Sequence, residues 1–431
     1  MSHAEVTNDG AMDMAVLFSR IPVSLSADRL RLSTLVVLAI ATLSGVSYTV
    51  TTALMSPEQF GLASSVYATA AETWLAGGDP YDVTPDHLGG YYFLYPPIAL
   101  LVFIPHGLVG LTGAYALQLV VNTLVAIVFI RLLIDALTRR GTTLERIDIA
   151  LIGGFIILSP HGVSQFIQGQ TTIWLAFAVA IGIDAIDRHR ERVAGVGFAF
   201  AAIIKVFPAA LGLWLLRMRA WRAVLAAIVT GLGAMALGAV LLGPELTVQY
   251  LSDVLLARYE RESYLRAVDP HTSVGGIRRQ LGGLFGVSDT YMTPLALAIL
   301  LPILAVCYRS IETDVQRQGA ALASIIALLM FLPLQPLYFA FAFFPLVILL
   351  YRLEWGLARY LLLAGVLSSL VMVDLDAVLG FASMLPGGLE NVVTDLATAF
   401  FTVALPTDIA MWLMLGGCVA IQFETIDTTQ S

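Results

Sequence analysis

The chain of 431 residues has a single lysine, Lys205, against 22 arginines; it has two cysteines, and charged side chains occupy only 13% of positions. Ordinary globular domains carry about a quarter charged residues. So little charge leaves no solvated surface for a soluble domain of ~100 residues. The arginines are scattered between apolar runs and form no stripe, and acids bring the net charge to −8, which argues against a nucleic-acid partner. Cys307 and Cys418 both lie inside apolar runs without metal-ligand spacing, so they read as small core residues, and neither a metal nor another cofactor is expected.

What is present is apolar. Hydrophobic residues make up 58% of the chain, and runs near the ~20 residues needed to cross hydrocarbon recur along its whole length. The expected fold is one integral-membrane domain over residues 1–431, an all-α polytopic protein with roughly ten to twelve transmembrane helices. Residues 1–30 hold a modest apolar patch at 14–18 but no long h-region, so the first span, residues 35–54, is expected to serve as the insertion signal.

Short Arg-rich loops stay cytoplasmic and fix the orientation. Arg20, Arg29 and Arg31 place the N-terminal segment 1–34 inside, whereas residues 55–94 carry Glu58, Glu72, Asp79, Asp82 and Asp86 without one basic residue and are expected outside. Arg139, Arg140 and Arg146 mark the next cytoplasmic turn; between them, residues 95–137 suffice for one span plus an interfacial helix broken at Pro105, His106 and Gly107. Residues 373–408 contain five acids and no base, so they too are expected outside.

Residues 193–216 lie between RHRER and RMRAWR, two clusters that both favour the cytoplasm. A single crossing would put Arg217, Arg219 and Arg222 outside. A hairpin of two half-helices turning at KVFP would keep both clusters inside, and Pro208, which removes an amide donor and disfavours helix at Phe207, suits that turn. The segment 243–292 carries Arg258, Arg261, Arg266, Arg278 and Arg279 on the expected outer side. Cations kept there fit either an anionic ligand or interfacial pairing with Glu260, Glu262 and headgroups.

The first loop is long for a membrane protein and rich in Gly, Pro, Tyr and acids, the composition of an ordered functional loop. It carries VY at 66–67, GGDPYD at 77–82 and YPP at 95–97; QGQ at 168–170, IKVFP at 204–208, HTSVGGIRRQLGG at 271–283 and PLQPLY at 333–338 follow in order. This ordered series resembles glycosyltransferase family 87, polytopic enzymes of the GT-C class that include phosphatidylinositol-mannoside mannosyltransferases. Resemblance covers about 270 residues, each motif being weak alone.

The resemblance implies an inverting transfer of a hexose, most plausibly mannose, from a polyprenyl-phosphate donor to a glycolipid or lipid-linked glycan acceptor on the outer face of the cell membrane. Such a reaction needs a base for the acceptor hydroxyl and positive charge for the leaving phosphate. The family usually has an aspartate three residues before the valine of VY; Ala63 stands there, so Glu58 and Asp79 become the candidate catalytic carboxylates. Asp79 also fits a plain turn role in Gly-Asp-Pro. Lys205, Arg278 and Arg279 are the candidate phosphate ligands; Tyr67, Asp82, Gln168, Gln170, His271 and Tyr338 are the candidate sugar or acceptor ligands. Many relatives carry an acid and a histidine where this chain has Leu337 and Tyr338. A transporter or flippase of lipid-linked sugar, using the same intramembrane charges, and a non-catalytic GT-C relative are the competing readings.

Overall fold

The computed structural model describes residues 23–86, 88–256, 269–332 and 335–424. Arg20, the patch at 14–18, His87, Arg258, Glu260, Arg261, Glu262, Arg266 and the first two residues of PLQPLY lie outside that set. No strand occurs among the described residues. In chain order the helices are α1 Val23–Met55, α2 Leu62–Leu75, α3 Pro97–Gly107, α4 Gly110–Arg139, α5 Arg146–Leu158, α6 Pro160–Ile167, α7 Thr172–Asp187, α8 Glu191–Ile204, α9 Gly212–Arg217 and α10 Trp221–Leu242. Then come α11 Pro244–Gln249, α12 Ile277–Phe285, α13 Asp289–Cys307, α14 Asp314–Phe331, α15 Phe343–Arg352, α16 Leu357–Ser369, α17 Leu375–Ala382, α18 Gly387–Val403 and α19 Pro406–Ile421.

The protein is an all-α polytopic membrane protein. Among the described residues four helices are long and apolar enough to span a bilayer, and six if the bent pairs α5–α6 and α18–α19, each turned by 51°, count as one span apiece. The sequence expectation of ten to twelve is higher because several apolar runs fold as short helices, including Pro97–Gly107, Phe207–Arg217 and Leu357–Ser369. Local chemistry sets these breaks. Ser159 caps α6 by accepting from the Gly162 N–H at 3.2 Å, and Pro160 follows as its first residue. Gly169 takes a left-handed φ of 64° between α6 and α7.

The Arg-rich turns converge at one end of the bundle. Arg31 pairs with Glu145 at 2.7 Å and Asp148 at 2.8 Å, and Tyr351 donates to the same Asp148 at 3.0 Å. Arg140 bridges Asp187 at 2.5 Å and Asp314 at 3.0 Å, while Arg317 holds Asp187 at 3.0 Å from the far side. Arg352 donates to the Arg140 carbonyl at 2.8 Å. The start of α8 and the start of α10 also meet, through the Arg222 N–H and Glu191 at 3.0 Å, and Arg217 at the end of α9 donates to the Tyr308 carbonyl at 2.7 Å. RHRER and RMRAWR therefore share one end, and the chain between them is a hairpin of α8 followed by a 3-10 turn, Phe207–Leu211, and α9.

Close packing fixes this hairpin. A side chain on Gly195 would meet the Ala223 carbonyl of α10 at 2.2 Å, and one on Gly197 the Ala178 carbonyl of α7 at 2.7 Å. α8 is thus clamped between two neighbours at backbone distance, the way small residues permit in apolar bundles. Cys307 and Cys418 are both fully buried. Arg140→Ala would leave Asp187 and Asp314, both largely buried, with Arg317 in place of two shared cations; a loss of about 2 kcal/mol is expected. Thermal unfolding in detergent, compared with the unaltered protein, reads it as a Tm drop of several degrees.

Candidate functional site

Three interruptions of helix meet at the end of the α8–α9 hairpin. The α6–α7 turn holds Gln168, Gly169 and Gln170; α8 stops at Ile204 so that Lys205 is extended, with φ −129° and ψ 114°; the 3-10 turn Pro336–Ala342 carries Tyr338. With 14 residues in α8, Lys205 stands about 21 Å from the Arg-rich end at 1.5 Å per residue. Non-helical backbone at such depth survives only where protein or a polar cavity satisfies it. The α2 helix helps: the Gly61 N–H donates to the Ile167 carbonyl and the Ala63 N–H to the Gln168 carbonyl, both at 2.8 Å.

The Lys205 ammonium donates to the Tyr338 hydroxyl at 3.0 Å, Thr172 Oγ1 at 3.2 Å and Gln170 Oε1 at 3.5 Å, and lies 4.3 Å from the centre of the Tyr338 ring. Gln170 Oε1 also accepts from the Tyr67 hydroxyl at 3.2 Å, and the Tyr67 and Tyr95 hydroxyls are 3.0 Å apart. Tyr67 has one proton and gives it to Gln170, so Tyr95 donates to Tyr67. With its oxygen shared by Lys205 and Tyr67, the Gln170 amide has no partner among the described residues for its two N–H donors, which can serve a ligand. Phe103 stacks on Tyr67 with ring centres 4.3 Å apart and backs the group.

Burial pushes the Tyr67 phenol up to about 12 and raises Tyr95 as well, the second in spite of the nearby Lys205 charge. At neutral pH both are donors and neither is a base. The constellation can present an ammonium, an amide and phenols to an anionic or hydroxyl-bearing ligand.

Of the residues expected from sequence, Tyr67, Gln170, Lys205 and Tyr338 come together. The Gln168 side chain is half-buried, and its carbonyl serves α2. Ala63 is buried. Glu58 is exposed in the 3-10 turn Pro57–Gln59 between α1 and α2, with no described hydrogen-bond partner. Asp79 accepts from its own turn's Tyr81 N–H at 2.8 Å and from Gln249 at 2.5 Å, and Asp82 is exposed. His271 pairs with Asp376 at 2.8 Å. Arg278 donates to Thr293 at 2.7 Å and lies over Phe331. Arg279 is fully buried, its guanidinium nitrogens bonded to the carbonyls of Pro270, Thr272, Val274 and Phe401. None of these six has a described contact with the Lys205 group. No cluster of three metal-binding side chains occurs among the described residues.

Sequence reasoning missed Thr172 and the role of Tyr95, and beneath them the buried polar pair Gln118 and Asn122 on α4. Their spacing of four residues in an apolar run, which puts two amides on one helix face, was the available signal. Gly169→Ala is expected to cost about 1 kcal/mol or more, since its φ is left-handed and a Cβ would press on the Ser64 side chain at 3.0 Å. A lowered Tm together with weakened ligand binding checks that this turn positions the site.

A family model described as Glycosyltransferase family 87 matches residues 93–336. That stretch contains Tyr95, Gln170, Thr172 and Lys205 and stops just before Tyr338. No curated protein and no solved structure matches the chain.

Proposed function

The chain belongs to glycosyltransferase family 87, and from that premise we propose that this membrane glycosyltransferase moves a hexose, with mannose the leading choice, from a polyprenyl-phosphate carrier to a glycolipid or lipid-linked glycan at the extracytoplasmic face of the cell membrane. The observation that carries the proposal is the chain's one ammonium, set at a helix break deep in an apolar bundle and beside the free donors of Gln170. An ionised lysine at mid-membrane costs about 2.5–3.5 kcal/mol on insertion scales. A lipid-linked phosphate is an anion delivered to that depth by its own tail.

In the reaction the acceptor oxygen bonds to the anomeric carbon from the face opposite the phosphate. The bond from that carbon to the phosphate oxygen breaks, and the carrier leaves as polyprenyl phosphate with Lys205 against its growing charge. The acceptor proton passes to a carboxylate. Asp79 is engaged by Tyr81 and Gln249, so we assign that role to Glu58, which is exposed and three residues before the Gly61 joint to the α6–α7 turn. Arg278 and Arg279 are held on α12 by Thr293 and by main-chain carbonyls, so the phosphate site rests on Lys205.

Purified protein given radiolabelled polyprenyl-phosphate-mannose and membrane lipids is expected to form a labelled glycolipid. Movement of the carrier across vesicles without a new product would favour transport instead. Lys205→Met is expected to abolish transfer while the protein still inserts and folds; unchanged turnover removes the lysine from the mechanism. Glu58→Gln is expected to lower kcat by about 10² or more, and Asp79→Asn by far less. The reverse order would move the base to Asp79.

A further inference from the structure

Under the Lys205 group lies a fully buried amide that holds the backbone of Gln170 and reaches toward Tyr338 through Gln165. Asn122 on α4 donates through Nδ2 to the Gln165 and Gln170 carbonyls, both at 3.1 Å. Its Oδ1 accepts from Trp174 Nε1 at 2.7 Å and from Gln118 Nε2 at 3.0 Å. Two donors and two acceptor sites are the full capacity of an asparagine amide. Gln118 in turn reaches the Gln170 carbonyl at 3.5 Å and His106 Nε2 at 3.0 Å.

The orientation of this network is determined. The Trp174 indole can only donate, so the Asn122 oxygen must face it and the amide protons must face the two carbonyls. Gln118 must then turn its NH2 toward Asn122 and its oxygen toward His106, which donates from Nε2. One asparagine thereby pins both ends of the turn that carries Gln170. It also reaches the other side of the site, because the Gln165 side chain donates to the Leu337 carbonyl at 2.8 Å, next to Tyr338.

We infer that Asn122 is a positioning residue for glycosyl transfer, fixing Gln170 directly and Tyr338 through Gln165 so that both face Lys205. The inference rests on the proposed use of Lys205 for the donor phosphate and takes Gln170, hydrogen-bonded to it, as a ligand on the donor side rather than the acceptor side. It is tested by a double-mutant cycle on the full-length protein, with transfer from polyprenyl-phosphate-mannose and binding of polyprenyl monophosphate as the two readouts.

Gln170→Ala and Asn122→Ala are each expected to raise the donor KM and the polyprenyl phosphate Kd about tenfold, with the acceptor KM unchanged. The double variant is expected to lose less than the two single losses combined, since coupled residues are non-additive, with the remaining extra loss coming from Tyr338. A merely structural asparagine would lower the folded fraction without this KM pattern. If Asn122→Ala does not fold, Trp174→Phe, which removes only one donor to Asn122 and keeps an aromatic ring against Phe103, is put through the same cycle with about a threefold effect expected. Additive losses, or a folded Asn122 variant with unchanged donor KM, overturn the inference while leaving the Lys205 reading intact. Wild-type protein with neither transfer nor polyprenyl phosphate binding overturns both.

Discussion

An ammonium held inside an apolar bundle must be solvated by the protein itself. Helix interiors offer few groups for this, because their N–H and C=O groups already serve one another. The bundle therefore opens its helices where the charge sits. α8 ends at Lys205, the α6–α7 turn supplies Gln170, α7 begins with Thr172, and a 3-10 turn brings Tyr338. Each break frees backbone groups that need partners, and at the α6–α7 turn the buried amides of α4 supply them.

This dependence explains how polar residues are distributed in a chain with so little charge. At the Arg-rich end, Arg140, Asp187, Asp314 and Arg317 neutralise one another in an ion-pair network between helix termini. Near Lys205, Gln170, Thr172 and Tyr338 present amide and hydroxyl oxygens. Charge fixes the one end, while oriented dipoles contribute at the other. Pre-oriented dipoles stabilise a developing charge without reorganising when it appears, which is what departure of a phosphate requires.

Much of this was legible in the sequence. Arginine clusters at both ends of residues 193–216 favour a hairpin over a simple crossing, and the lone lysine three residues before Pro208 marks the turn. QGQ, VY and PLQPLY identify the residues that assemble around it, because breaks in apolar runs show up as Gly, Pro and amides. Arg279 was misleading. A guanidinium in an outer loop reads as a ligand, yet its three nitrogens are spent on carbonyls from two segments more than 120 residues apart, as with Phe401. Sequence shows the charge but not whether backbone ends already occupy it. Asn122 was hidden for the opposite reason, being neutral and inside a long helix, with only the Gln118 amide one turn before it to mark the face.

The acid shows how the two kinds of information combine. Ala63 and Tyr67 are four residues apart on α2, so they share a face, and a carboxylate at 63 would stand beside the Tyr67–Gln170 pair. The methyl group found there leaves that wall without a base. Gly61, at a φ of 77°, is the joint between α2 and the turn Pro57–Gln59, and its carbonyl accepts from the Ser64 and Ser65 hydroxyls while its N–H is tied to Ile167. The joint itself and the α2 side of it hang from the end of α6 and the loop that carries Gln170. An acid at position 58 is therefore tied to that loop only through Gly61, three residues on, whereas an acid at 63 would sit on the residue bonded to it directly.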